Sequence, residues 1–234
     1  MDLETWMTER VSRAPNATLL DTVIPGAHDA CSYGITTASP DVMGAMPEWL
    51  RQALRLTNGR EQAARWSKAQ SLTIDEQLRC GVRYFDIRLC VHEGALWTCH
   101  GLCSVPWEPV VCALRAFADQ HVGEVVVLDI HELYGGGGAD GWSREQIAAL
   151  CDDLARLFGP RVVPPSRLRD HLGDLHRDGL NVVLRSGVSW VGVEHGVGSF
   201  IPGDQLVSPW PETSSVPTLK SKLEAFVRSL RTIT

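Results

Sequence analysis

The sequence predicts an α/β fold of the barrel type, in a single domain over residues 1–234, and three observations predict it. Short apolar runs alternate with amphipathic helical stretches, with no internal repeat and no interdomain linker. One run, Val125–Leu133, is apolar but for its acidic and histidine positions, the mark of a parallel strand covered on both faces. Several runs end in a burst of histidine, aspartate or arginine, and the carboxyl ends of neighbouring parallel strands converge on one mouth.

Thr18–Ile24 reads as the first strand, entering the Pro25-Gly26 turn that presents His28. Residues 30–68, loosened by Ser, Thr, Pro, Gly and Asn, read as a loop with a helical stretch around 48–56, where barrel enzymes build their mouth. Thr73-Ile-Asp-Glu76 is a capping-box start for a short helix that Gly81 stops, and Val82–Leu89 follows as a strand. Leu96–Cys99 is the third strand, and a helix over roughly 106–121 carries Val110, Val111, Leu114, Phe117 and Ala118 on one stripe. The Gly135–Gly138 run lacks the Lys-Ser/Thr of a nucleotide-binding loop and reads as a plain connection.

Ser143-Arg-Glu-Gln146 is a second capping box, with Trp142 and Ile147 as its hydrophobic staple. Ile147, Leu150, Cys151, Leu154, Leu157 and Phe158 form a helical face that ends at Gly159-Pro160. Leu180–Arg185 is a fifth strand and Gly198–Ile201 a sixth. Pro217 opens a last helix bearing Leu219, Leu223, Phe226, Val227 and Leu230.

At 234 residues and 44% apolar composition the chain can bury one sizeable core. A net charge of −6 gives no electrostatic footprint for nucleic acid, which usually needs a basic face, and argues against strong unaided attraction to an anionic membrane. No apolar run approaches the roughly 20 residues of a membrane span. The acidic start Met1-Asp-Leu-Glu is not a secretory signal. Seven cysteines inside strand and helix patterns read as free thiols of a reducing compartment, so a cytoplasmic location is expected, peripheral at membranes where a lipid is involved.

The chemistry concentrates in three segments: Ile24-Pro-Gly-Ala-His28-Asp29-Ala30, Gly81-Val-Arg-Tyr-Phe-Asp86-Ile-Arg88 and Leu96-Trp-Thr-Cys-His100-Gly101. Histidine, paired carboxylates and a guanidinium suit acid–base chemistry on an anionic group, above all a phosphate. Taken singly, His28 is a capping or packing residue, Arg88 a surface charge and His100 a strand terminator. Their co-occurrence is the signal, because two histidines and an arginine are what cleavage of a phosphodiester by an internal hydroxyl needs.

In this order the segments resemble the X domain of phosphatidylinositol-specific phospholipase C, most closely the small intracellular proteins that carry an X domain and little else. Gly123-Glu-Val-Val-Val-Leu-Asp129 and Phe200-Ile-Pro-Gly-Asp-Gln-Leu-Val-Ser-Pro-Trp210-Pro-Glu-Thr213 extend the match. The resemblance implies a TIM-barrel-like phosphodiesterase fold and cleavage of phosphatidylinositol, or a related phospholipid at a membrane surface, through an inositol 1,2-cyclic phosphate. It makes His28 the general base and His100 the general acid, with Asp29 orienting His100. Arg88 meets the phosphate, and Asp86 holds the guanidinium or a histidine. An ordinary imidazole near pKa 6.5 would serve as base with little tuning.

Arg185 corresponds roughly to an inositol-contacting basic residue, with a rim ion pair as the alternative. His131 faces substrate or pairs with Glu132, and Trp210 stacks on a sugar or packs. No metal or other cofactor is expected, because calcium-using relatives carry an acid where this chain has Arg88. Cys99-His100-x-x-Cys103 with Cys90 lacks the paired spacing of a zinc site.

Six strands are legible where a full barrel has eight in about 250 residues. The resemblance therefore implies an incomplete barrel without the aspartate that partners the base in relatives, for which Glu194 and Asp204 are the replacements at hand. The alternatives to the enzyme are a non-catalytic lipid- or inositol-phosphate-binding module, an inactive truncated form, and a glycerophosphodiesterase, whose carboxylate metal cluster is not found.

Overall fold

The computed structural model describes residues 2–42, 52, 58–135, 142–186, 200–202, 206, 213 and 215–230. Its strands are β1 (Gly26–Ala27), β2 (Tyr84–His92), β3 (Ala95–His100), β4 (Leu102–Pro106), β5 (Val126–Tyr134), β6 (Val182–Ser186) and β7 (Phe200–Pro202). Its helices are α1 (Trp6–Arg13), α2 (Gly59–Ser67), α3 (Ile74–Arg79), α4 (Trp107–Gln120), α5 (Arg144–Phe158), α6 (Leu172–Arg177) and α7 (Val216–Leu230).

The strands form one sheet in the order β4-β3-β2-β5-β6-β7, with β1 also on β2. β1, β2, β5, β6 and β7 run parallel, and β3 and β4 are antiparallel additions. Among the described residues the sheet does not close, and β4 and β7 stand at its ends.

Successive strand residues point to opposite faces, so a fully apolar strand encodes two cores. Phe85, Ile87, Leu128, Ile130 and Leu184 pack outward against α3, α4 and α5. Val127, Val183 and Ile201 point inward, with Met7 of α1 and Leu172 and Leu175 of α6 in the same cluster. The inner apolar layer leaves the carboxyl ends of the strands for polar groups.

A buried ion pair ties α1 to this scaffold. Arg83 Nη2 lies 2.9 Å from Glu124 Oε2, and both residues are fully buried. Arg83 also donates to the carbonyls of Leu78 and Glu4, while Glu124 accepts the backbone N–H groups of Met7 and Thr8 at the start of α1. A carboxylate there complements the positive end of a helix. Gly123 is required beside it, since a Cβ would stand 2.4 Å from Thr8 Oγ1.

Both capping boxes form, at Thr73/Glu76 and Ser143/Gln146, and the predicted stripes of α4 and α5 are buried, with Leu157 half-buried at the edge of the second. Three expectations change. Thr18–Ile24 is not a strand: Asp21 accepts from the Thr18 N–H and hydroxyl and closes a turn, a local side-chain bond that competes with the sheet. Leu96–Cys99 does not run parallel. The Glu93-Gly94 turn, with φ of 49° and 77°, folds β3 back on β2 as a hairpin. Residues 102–106 then form the extra strand β4, and α4 begins at Trp107.

The expected loop over 30–68 contains α2, while the helical stretch around 48–56 lies outside the described residues except for position 52. Of the apolar stripe of α7, Leu219, Leu223, Phe226 and Val227 are not buried, and Leu223 is 38% exposed. All seven cysteines are free and five are buried.

Candidate active site

β1 and β2 bring the first two motifs together. Ala27 pairs with Phe85, which sets His28 and Asp29 beside Asp86. Asp29 takes a left-handed backbone conformation, φ 46°, which turns the chain off the strand end. The turn is pinned from elsewhere: Gln70 donates to the His28 carbonyl at 2.8 Å, and the Asp86 carbonyl accepts from Ala30. Asp86 and Arg88, two apart on β2, share the inner face.

The side chains form one connected cluster. His28 Nδ1 lies 2.7 Å from Asp86 Oδ2, and His28 Nε2 lies 3.0 Å from Asp29 Oδ2. His100 Nε2 reaches the same Asp29 oxygen at 3.3 Å. Arg88 Nε meets the other Asp29 oxygen at 2.8 Å, and Arg88 Nη1 lies 3.3 Å from Glu132. Asp29 is 1% exposed at its side chain, while His28 and His100 are 27% and 30% exposed, so the carboxylate is the buried hub and the imidazoles face the mouth. The two rings stand 6.5 Å apart, edge to face.

The hairpin explains how His100 arrives. Because β3 runs back along β2, with Thr98 opposite Leu89, residue 100 returns to the level at which β1 ends. Its Nδ1 donates to the Ser67 carbonyl at the end of α2, 2.9 Å away. The ring thus bridges the Ser67 carbonyl and the Asp29 carboxylate.

Burial opposes charge on His28, but its hydrogen bonds to Asp29 and Asp86 and their negative charges outweigh it and raise its pKa to about 9. This differs from the untuned base expected from the sequence, because both ring nitrogens face carboxylates. Burial would raise the Asp86 pKa, yet the His28 hydrogen bond and the nearby cations His131 and Arg88 bring it below the usual value. Burial likewise works against the Arg88 charge, but Asp29, Asp86 and Glu132 hold its pKa above the ordinary arginine value.

One strand over, Asp129 forms a second polar centre. It is 1% exposed, faces Asp86 across β2 and β5, and accepts from Tyr84 Oη at 2.6 Å and from Arg185. His131 Nδ1 lies 3.5 Å from it, so His131 does not pair with Glu132, which contacts Arg88 and Tyr134 instead. A register shift between Ile87 and Arg88 makes His131 the extra residue of β5. Arg185 is a buried partner of Asp129 rather than a rim charge. Trp210, Glu194 and Asp204 lie outside the described residues.

Sequence reading missed Tyr84, Asp129 and Glu132 as site residues. The one available signal was a carboxylate interrupting an otherwise apolar parallel strand. The donor atoms of His28, Asp29 and Asp86 lie within 4.8 Å of one another, near enough to meet one ion, but the Arg88 guanidinium and the His28 ring already lie against both carboxylates.

No family model matches the chain. The human PI-PLC X domain-containing protein 2 is 30% identical over 94% of this chain and 70% of its own length. The mouse protein of the same name is 32% identical, and the chain spans 63% of its length. Human PI-PLC X domain-containing protein 3 is 26% identical over 99% of this chain and 71% of its own. The chain belongs to the family of PI-PLC X domain-containing proteins. Among solved structures, a phosphatidylinositol-specific phospholipase C from Staphylococcus aureus superposes with a TM-score of 0.54 at 16% identity, over 79% of this chain and 53% of that one, a likeness of fold.

Proposed function

We propose that the chain is a metal-independent phosphodiesterase that cleaves the glycerophosphoinositol bond of phosphatidylinositol, or a close relative, by general acid–base catalysis. The observation that carries this reading is that His28 and His100 meet on one oxygen of Asp29 while Arg88 holds the other. The inositol 2-hydroxyl gives its proton to His28 as its oxygen bonds to phosphorus. The bond from phosphorus to the diacylglycerol oxygen breaks, and His100 gives that oxygen a proton, leaving inositol 1,2-cyclic phosphate. Arg88 supplies fixed N–H donors to the phosphoryl oxygens as negative charge grows. Asp86 orients His28, in the manner of a triad carboxylate.

Metal independence is supported by Arg88, whose charge sits where a divalent ion would need the Asp29 and Asp86 oxygens. We further propose work at a membrane surface in the cytoplasm. Seven free cysteines suit a reducing compartment. Among the described residues no helix is long and apolar enough to cross a membrane. Trp66, 67% exposed and flanked by exposed Arg65 and Lys68, stands next to Ser67, the partner of His100. An exposed tryptophan between cations suits the headgroup region of a bilayer.

A second reading, a non-catalytic inositol-phosphate-binding module, is favoured by the raised pKa of His28, which leaves the base form scarce near neutrality. Release of inositol 1,2-cyclic phosphate from phosphatidylinositol vesicles in chelator separates the two. Turnover that disappears in His28→Ala, His100→Ala and Arg88→Ala supports the enzyme. A folded chain that binds inositol phosphate without turnover supports the binding module.

A further inference from the structure

We propose that Gln70 and Ser32 are positioning residues, which make the segment 67–70 behind the site a single strap that sets the aim of both imidazoles. The inference rests on the acid–base reading above and deepens it. Three observations carry it. His28 and His100 come from distant segments, yet the strap holds both: Gln70 Nε2 donates to the His28 carbonyl at 2.8 Å, and the Ser67 carbonyl accepts from His100 Nδ1 at 2.9 Å. The strap has its own anchor in Ser32, which is 2% exposed and whose hydroxyl oxygen accepts the backbone N–H groups of Ala69 and Gln70, each at 3.0 Å. That anchor is fixed to β4 in turn. Ser104 Oγ donates to the Cys31 carbonyl and accepts the Gly34 N–H, and a Cβ on Gly34 would stand 2.4 Å from Val105 Cγ1.

The turn that the strap grips needs holding. Asp29 sits at φ 46°, a conformation that a residue with a side chain keeps only where its surroundings impose it. Gln70 fixes the carbonyl before Asp29, and Gln77 of α3 donates to the Ala30 carbonyl after it at 2.8 Å. The same turn aims the His28 ring and the Asp29 carboxylate on which the two rings meet. A glutamine amide suits this place because it donates without adding a charge to the cluster of Asp29, Asp86 and Arg88. Proton transfer needs its partners within hydrogen-bond reach, and an error of about 1 Å in placement can cost about a hundredfold in rate.

The test uses the full chain, with kinetics on phosphatidylinositol vesicles and NMR of the histidine rings without substrate. Gln70→Met keeps the reach of the side chain and removes the donor, and Ser32→Ala removes the acceptor. Each is expected to lower kcat about tenfold or more while KM changes less than about twofold, because aim matters to the transition state rather than to binding. Both act through one strap, so the double variant should be no slower than the worse single. Independent residues would instead multiply their losses, to about a hundredfold or more. Gln70→Met should also displace the ring signals of His100, although its lost hydrogen bond is to the backbone of His28. If Ser32→Ala does not fold, Gln70→Met decides alone through its kcat and the His100 signals.

A Gln70→Met chain with the natural kcat, a loss that falls on KM alone, a double variant slowed by the product of the singles, or His100 signals that stay in place would each overturn the proposal. A natural chain without turnover on phosphatidylinositol sinks the enzyme reading, and the His100 signals of Gln70→Met then decide the strap by themselves. Their displacement upholds it, and an unmoved spectrum overturns it.

Discussion

Asp86 Oδ2 lies 2.7 Å from His28 Nδ1, joining the second strand to the turn that follows the first. In the family resemblance a later strand supplies an aspartate to the base histidine. Here a carboxylate on β2 already makes that contact, and it also faces Arg88 at 3.8 Å.

Asp86→Asn should therefore lower the His28 pKa from about 9 toward the ordinary 6.5. For catalysis the base must be neutral, so kcat/KM of the natural chain should rise as pH climbs toward 9, and the variant should reach its plateau at lower pH with a reduced maximum. For stability the sign is opposite. A pKa raised on folding stabilises fully below about 6.5 and loses that contribution as pH rises through about 9. NMR titration of the His28 ring beside a pH–rate profile checks both, and an unmoved titration in Asp86→Asn would refute the coupling.

Arg88→Lys keeps the charge but removes the planar fork that spans Asp29 and Glu132. Turnover should drop by about a hundredfold or more, as when a preorganised donor to a developing charge is lost. KM should change less than kcat, because the guanidinium acts on charge that grows in the transition state. Steady-state kinetics on vesicles would show the split.

Trp66→Ala should weaken binding to vesicles containing anionic lipid and raise the apparent KM there. Hydrolysis of a soluble, short-chain substrate should be unchanged, since Trp66 projects to solvent at 67% exposure and its neighbour Ser67 meets His100 through the backbone carbonyl. Vesicle co-sedimentation of the two proteins decides it, and equal binding would sink the membrane-facing reading of that rim.

Glu124→Gln leaves the Arg83 guanidinium buried without a matching charge and weakens the anchorage of α1. Removing one partner of a buried pair typically costs about 3–5 kcal/mol, so the midpoint of urea unfolding should fall markedly. Gly123→Ala should also destabilise, through the clash of its Cβ with Thr8. A variant with the natural midpoint would contradict the structural role of this pair.

The sequence alone determined what depends on neighbours along the chain. Helices α3 and α5 were legible because Thr73/Glu76 and Ser143/Gln146 are local hydrogen-bonding arrangements, and α4 because its stripe repeats at helical spacing. The strand β5 was legible because a parallel strand buried on both faces has no room for alternation. His28, Asp29, Asp86, Arg88 and His100 were legible as a set by residue type and order, through the resemblance they carry.

Two misses were local ones that the apolar pattern hides: Asp21 turns back on Thr18 within Thr18–Ile24, and a two-residue turn sets the direction of β3. Tertiary structure decided the rest. The pKa of His28 depends on two carboxylates delivered by different segments, and Asp129 gains its partners only when β2, β5 and β6 lie side by side. Charge and hydrogen bonding act through space over a few ångströms, whereas sequence spacing reports only distance along the chain. The candidate residues were therefore readable early as a set, but their protonation and their partners belong to the folded sheet.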